Sequence, residues 1–331
     1  MTNIENPMGN FISRLKRLDS RLGKEIKNLT PYWWDNSLAQ SRGASQQAVL
    51  SIAKHLNLDL KSVIDEKSEL RFKDVSCCYK KAGNKTVNDL YVATGLVFSA
   101  SQTIANITKK EHLLFSAPSI IRTQILESGK PWVDLESLVR YCWEHGVPVI
   151  FLPDLPVSKK MDAVVQNVNG RPVIAITKKH KHESALLFLL AHEMGHIFSG
   201  HLSDNQMIID ESVNELDEDK QESEANSFAL ELLTGRAETH FHSGGKRLLS
   251  EHLAVAAKAK GVELKIDPGH IALNWAHTTN HWAIANKALN ILYPEPHWEN
   301  NIKKIIANEI NVFDAKEDEV DYLLNLMKIE G

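Results

Sequence analysis

Cysteine is scarce: the 331 residues hold three, Cys77, Cys78 and Cys142, two of them adjacent. An odd count with a neighbouring pair excludes a disulfide framework, so the fold must rest on a packed core, and a reducing cytoplasm suits the chain. Long apolar runs are also missing. No stretch approaches the roughly 20 apolar residues a membrane span needs, and Met1 to Thr30 carries no apolar segment ahead of a small-residue cleavage site. A cytoplasmic protein without membrane contact is therefore expected. An excess of one charge is lacking too. A net charge of -4 and a pI near 6.4 spread no basic field over the surface, so any nucleic-acid contact has to be local. Leu70 to Lys130 holds no internal repeat or low-complexity tract. With 43 % hydrophobic and 24 % charged residues, what remains is a globular chain long enough for two or three compact units.

The most informative stretch is Ser184-Ala-Leu-Leu-Phe-Leu-Leu-Ala-His192-Glu193-Met-Gly-His196-Ile-Phe-Ser-Gly200. Strong helix formers and large apolar residues dominate it, which predicts a buried helix. His192 and His196 stand one turn apart on one face, where two imidazoles can share a tetrahedral zinc at about 2.0–2.1 Å each. Glu193 follows the first histidine, placed to reach a water at the ion rather than the ion itself. This is the HExxH arrangement of a metallopeptidase, with Glu193 as general base. A solvated helix end is the plainer alternative, but polar groups in so apolar a helix cost free energy unless something pairs them.

A third ligand must come from elsewhere. His201 follows the helix stop expected at Gly200 and reads as a helix-end histidine. Beyond an acidic stretch from Asp210 to Asp219, Ala225, Phe228, Ala229 and Leu232 recur at helical spacing, so a second packed helix starts near Lys220. Its first turn offers Glu222, with Asn226 one turn on as an amide to orient a ligand histidine from behind. Glu224 competes with Glu222. An acidic first turn complementing the helix dipole would look the same.

Around these helices the chain alternates in type. Asp134 to Gly146 reads as a helix with an Asp cap and a Gly stop, followed by a short apolar strand, Val147 to Leu152. Ala163–Val168 and Pro172–Thr177 flank Asn169-Gly170, a strong hairpin signal. A strand beside the metal helix could pair with an extended substrate. Upstream, Phe11 to Leu22 is an amphipathic helix, and Gly43 to Ile64 puts Ala48, Ile52, Ala53 and Leu56 at helical spacing before a turn at Asn57. Trp33-Trp34 reads as packing. Thr86 to Ile107 reads as short helices, and Lys80-Lys81 and Lys109-Lys110 as solvated spots. Downstream, a helix from Leu248 to Val262, a strand or turn from Val262 to Gly269 and one helix from Ile271 to Leu292 are expected. His240, His242, His252 and His270 have no ligand spacing; one of them is a candidate to stabilise an oxyanion.

These readings give an α+β fold: mostly helical, with a small zincin-like core in which a hairpin packs on the HExxH helix. The expected division is 1–70, helical, a degenerate helix-turn-helix candidate; 71–130, a helical connector; 131–240, the metallopeptidase core; and 241–331, a helical C-terminal region.

HEMGHIFSGH followed by ESEANSFALELL resembles the ImmA/IrrE family of zinc metallopeptidases, from about His145 to Leu233. The resemblance implies Zn²⁺ held by His192, His196 and Glu222, Glu193 as the base, and Asn226 behind a ligand histidine. It also implies a specific protein substrate: a cytoplasmic helix-turn-helix repressor or antitoxin-like DNA-binding regulator of prophage, mobile-element or stress genes. Members often carry a helix-turn-helix module, which gives a competing expectation, a DNA-binding transcription regulator whose zinc domain senses without cleaving. A module with a purely structural zinc is a third. One departure is Thr234-Gly235, where the family often has Met-Pro; it concerns the helix end rather than the chemistry. Nothing in the sequence sets an oligomeric state.

Overall fold

The computed structural model describes residues 6–26, 29–73, 77–79, 87–210, 220–244, 248–310 and 317–329. The N-terminal part holds α1 (Pro7–Leu18), α2 (Ser20–Lys24), a short 3₁₀ turn (Asn36–Gln40), α3 (Arg42–His55) and α4 (Leu60–Ile64). Strand β1 (Cys77–Tyr79) and the long α5 (Val87–Ile107) follow, then α6 (Pro118–Glu127) and α7 (Leu135–Glu144). The central part runs β2 (Val149–Phe151), β3 (Ala163–Val168), β4 (Arg171–Ile176), α8 (Glu183–Phe198), β5 (Met207–Asp210) and α9 (Lys220–Thr234). The chain closes with α10 (Ser250–Leu264), α11 (Pro268–Thr279), α12 (Trp282–Leu292), α13 (Trp298–Glu309) and α14 (Glu317–Met327). The acidic residues 211–219 and the pair Lys80-Lys81 lie outside the described residues.

The strands form one mixed sheet in the order β1-β5-β3-β4-β2. The Asn169-Gly170 turn sets its centre: both residues have positive φ, 50° and 86°, the twist a two-residue hairpin needs. That turn pairs Val168 with Arg171 and carries the antiparallel register to Ala163 opposite Ile176. β2 joins β4 in parallel, β5 joins β3 antiparallel, and β1 runs parallel to β5. Both hairpin strands are thus interior, β3 flanked by β5 along Ala163–Gln166 and β4 by β2 along Ile174–Ile176, which leaves little edge for the substrate strand expected there. They are buried along nearly their whole length because α5 and α8 pack on them.

Three helical expectations change. α5 is one continuous helix, because its polar residues bond helix carbonyls instead of breaking it; Thr103 Oγ1 donates to the Ser99 carbonyl at 2.9 Å. α10 runs on through Val262 to Leu264 and ends at Lys265 in a left-handed conformation, so no strand forms there. The single helix expected from Ile271 to Leu292 is two, divided at Asn280 with φ 58°. α11 starts early, at Pro268, because the Asp267 carboxylate caps it by accepting from the His270 N–H at 2.7 Å.

One hydrophobic core extends from Met8 on α1 through the sheet and α8 to Tyr322 and Leu323 on α14, with Trp33 and Trp34 packed against it. A second, smaller core joins α10, α11 and α12 through Leu253, Ala257, Ile271, Trp275 and Ala285. α3 and α4 meet at a turn where Asn57 has φ 56°, and α4 spans five residues. Among the described residues no helix is long and apolar enough to cross a membrane.

Candidate metal centre

α8 is buried from Ser184 to His196 on most of its faces, enclosed by α7, α9, α11 and the sheet. Such a helix gains its stability from burial, so polar residues inside it need partners. His192, Glu193 and His196 are 1 %, 0 % and 0 % exposed. α9 crosses close beside it. A Cβ on Gly195 would stand 2.8 Å from Cα and O of Ala225, so only glycine permits this approach. The contact brings the first turn of α9 against the two histidines. Gly195 occupies a free position of the HExxH pattern, and the sequence offers no other signal for its role.

Three donor atoms converge there. Nε2 of His192 and Nε2 of His196 are 3.1 Å apart. Glu222 places Oε2 at 3.3 Å from the first and Oε1 at 3.5 Å from the second. Zinc bonds of about 2.0–2.1 Å put tetrahedral ligand atoms about 3.3–3.4 Å apart, so these spacings suit such an ion. The hydrogen-bond pattern agrees. Nδ1 of His192 lies 3.0 Å from Oδ1 of Asn226, an acceptor, so this imidazole carries its proton on Nδ1 and turns a bare Nε2 toward the cluster. A lone pair facing a carboxylate is repulsive unless a cation lies between them. The donor set fits a zinc ion, and His192, His196 and Glu222 are a group among the described residues that could hold a metal.

The structure separates the two competing glutamates. Glu222 is mostly buried beside the histidines, whereas half-exposed Glu224 turns to His201, with Oε2 2.9 Å from its Nε2. That hydrogen bond holds the Glu224 carboxyl below the usual carboxylate range. His201 is no mere helix-end residue. Gly200, with φ 69°, reverses the chain, and His201 Nδ1 comes 2.9 Å from Nδ1 of His196. Of the four downstream histidines, His240 and His242 face each other at 6.4 Å, and His252 is exposed on α10. His270 is buried on α11, where it stacks on Phe188 with ring centroids 5.9 Å apart.

Residues 142–241 match the family model of peptidase family M78, described as the IrrE N-terminal-like domain. That segment is thus similar to the IrrE N-terminal-like domain. It runs from the last turn of α7 past the end of α9, and so includes the hairpin and both site helices. The family is one of metallopeptidases, and the α+β core here is zincin-like. No curated protein and no solved structure matches the chain.

Proposed function

We propose that the chain is a zinc-dependent endopeptidase that cuts a specific cytoplasmic protein, a repressor or antitoxin-like DNA-binding regulator being the class the family resemblance suggests. The observation that carries the peptidase reading is the convergence of His192, His196 and Glu222, with Glu193 buried next to the first of them. A zinc ion held there would polarise the scissile carbonyl and lower the pKa of a water toward about 7. Glu193 takes the proton from the attacking water and passes it to the leaving amine, a role worth roughly 10²–10⁴-fold in rate. Asn226 holds the His192 ring with its proton turned outward. The burial of the donors favours a few selective cuts over general digestion. Since β3 and β4 are interior strands, the substrate chain is expected to bind elsewhere than on the hairpin.

Metal analysis under chelator-free conditions tests this. At saturating zinc, wild type and Glu224→Ala should hold about one ion per chain and Glu222→Ala none, as expected when an open site loses one of its three protein ligands. Glu193→Gln should keep the ion while abolishing cleavage of candidate regulators in lysate. A wild type that takes up no zinc sinks the reading.

A further inference from the structure

The two zinc-site histidines are supported in different ways. His192 leans on a neutral amide, Asn226. His196 leans on His201, which leans on Glu224. His201 Nδ1 is 2.9 Å from His196 Nδ1, and His201 Nε2 is 2.9 Å from Glu224 Oε2. The backbone holds the same geometry, since the His201 N–H donates to the His196 carbonyl at 3.1 Å. His201 is itself almost wholly buried, while Glu224 reaches the surface.

The protons in this chain follow from its ends. A carboxylate only accepts, so His201 donates from Nε2. A neutral His201 then has Nδ1 as its acceptor, and two ring nitrogens at this distance share one proton, so His196 donates from Nδ1. Its Nε2 is left bare and directed at His192 and Glu222. We propose that Glu224 and His201 act as a positioning relay that fixes the tautomer and ring orientation of His196, and so sets the affinity of the centre for zinc. The inference rests on the zinc reading above. Neither residue touches the donor triangle or a substrate, so both act through His196. Partners behind ligand histidines are typically worth about 10–100-fold in metal affinity.

Competition for zinc against a chromophoric chelator, with the full-length chain, tests the relay. Glu224→Ala and His201→Ala should bind zinc about 10–100-fold more weakly than wild type. Glu224→Gln should recover most of the loss, because an amide oxygen accepts the same hydrogen bond. In ¹⁵N-histidine spectra of the metal-free protein, His196 should carry its proton on Nδ1 in wild type and Glu224→Gln, and lose that preference in Glu224→Ala. Glu224→Gln as weak as Glu224→Ala would overturn the relay in favour of simple charge attraction. So would wild-type affinity in both alanine variants. Glu224 is on the surface, so its variants should keep the wild-type unfolding temperature. A wild type that binds no zinc fails earlier and separately, at the zinc reading itself.

Discussion

Two groups of buried histidines invite comparison. His192 and His196 in the candidate metal centre are 1 % and 0 % exposed, and His55 and His270 elsewhere are 4 % and 2 % exposed. In the centre each ring is engaged at both nitrogens, by Asn226 or His201 behind and by the donor cluster in front. His270 meets no partner at either nitrogen among the described residues, and His55 none at Nδ1; they are held by stacking on Phe188 and on Tyr322. Phe188 also lies 6.3 Å from His192, so His270 stands one ring away from the site. Nearness to α8 and burial therefore do not distinguish the two pairs. Accounting for both nitrogens does.

The sharpest way to break the comparison is to pull the donors apart without touching one. Gly195→Ala drives a methyl into the backbone of Ala225 and pushes α9 off α8. Overpacking of this kind costs about 1–3 kcal/mol. The larger consequence is for Glu222, which rides on α9, so zinc affinity should fall further than in either relay variant. Chemical denaturation and zinc competition on the same preparation would check it. Unchanged affinity would mean that the donors gather independently of how the helices pack.

The opposite end of α9 gives a smaller effect. The buried Arg122 guanidinium donates to the carbonyls of Leu232 and Leu233 at the end of α9, and to those of Leu264 and Lys265 at the end of α10. One cation thus closes two helix C-termini. Arg122→Met keeps the volume and leaves those carbonyls to water, for a loss of about 2 kcal/mol. Because its effect falls on the far end of α9, zinc stoichiometry should remain at wild-type level. Loss of zinc would show that α9 moves as one rigid piece.

How much of this was legible depends on how local the cause is. The Asn169-Gly170 turn and the HExxH helix are local, since positive φ and helical spacing write themselves into neighbouring residues. β5 and β1 were not foreseen. Each is short, and each exists because a partner distant in sequence presents an edge, β3 for Met207–Asp210 and then β5 for Cys77–Tyr79. The break at Asn280 was hidden because apolar spacing continues across it. Glu222 and Glu224 stand two residues apart and project from different sides of α9, so periodicity could not rank them; the position of α8 sets Glu222 beside His192 and His196 and leaves Glu224 to His201. His201 reads as an ordinary helix-end residue until Gly200 turns the chain back on His196.

The mildest test concerns the two buried histidines outside the candidate centre. Burial pushes His55 and His270 down to about 4, and the Arg122 charge pushes His270 the same way. Unfolded, each titrates near 6.5. Their contribution to stability is therefore complete above about pH 6.5 and is lost as pH falls toward 4, because the unfolded chain takes up the proton first. Glu183 has the opposite sign. Burial and then the nearby Asp267 raise it to about 7, so its contribution is present below the ordinary glutamate range and lost as pH rises through 7. Asp267, raised by burial, also opposes the histidines. These opposing groups make the wild-type slope a poor readout, and the difference between proteins a good one. His270→Phe and His55→Phe keep a ring for stacking and should change stability at pH 8 by no more than about 1 kcal/mol. Between pH 6 and 4.5, each should lower the dependence of stability on pH by up to about 1.4 kcal/mol per unit, the slope of one proton. Parallel curves for wild type and variants would mean that these rings titrate normally in the fold. The contrast with the metal-site histidines would then rest on hydrogen bonding alone.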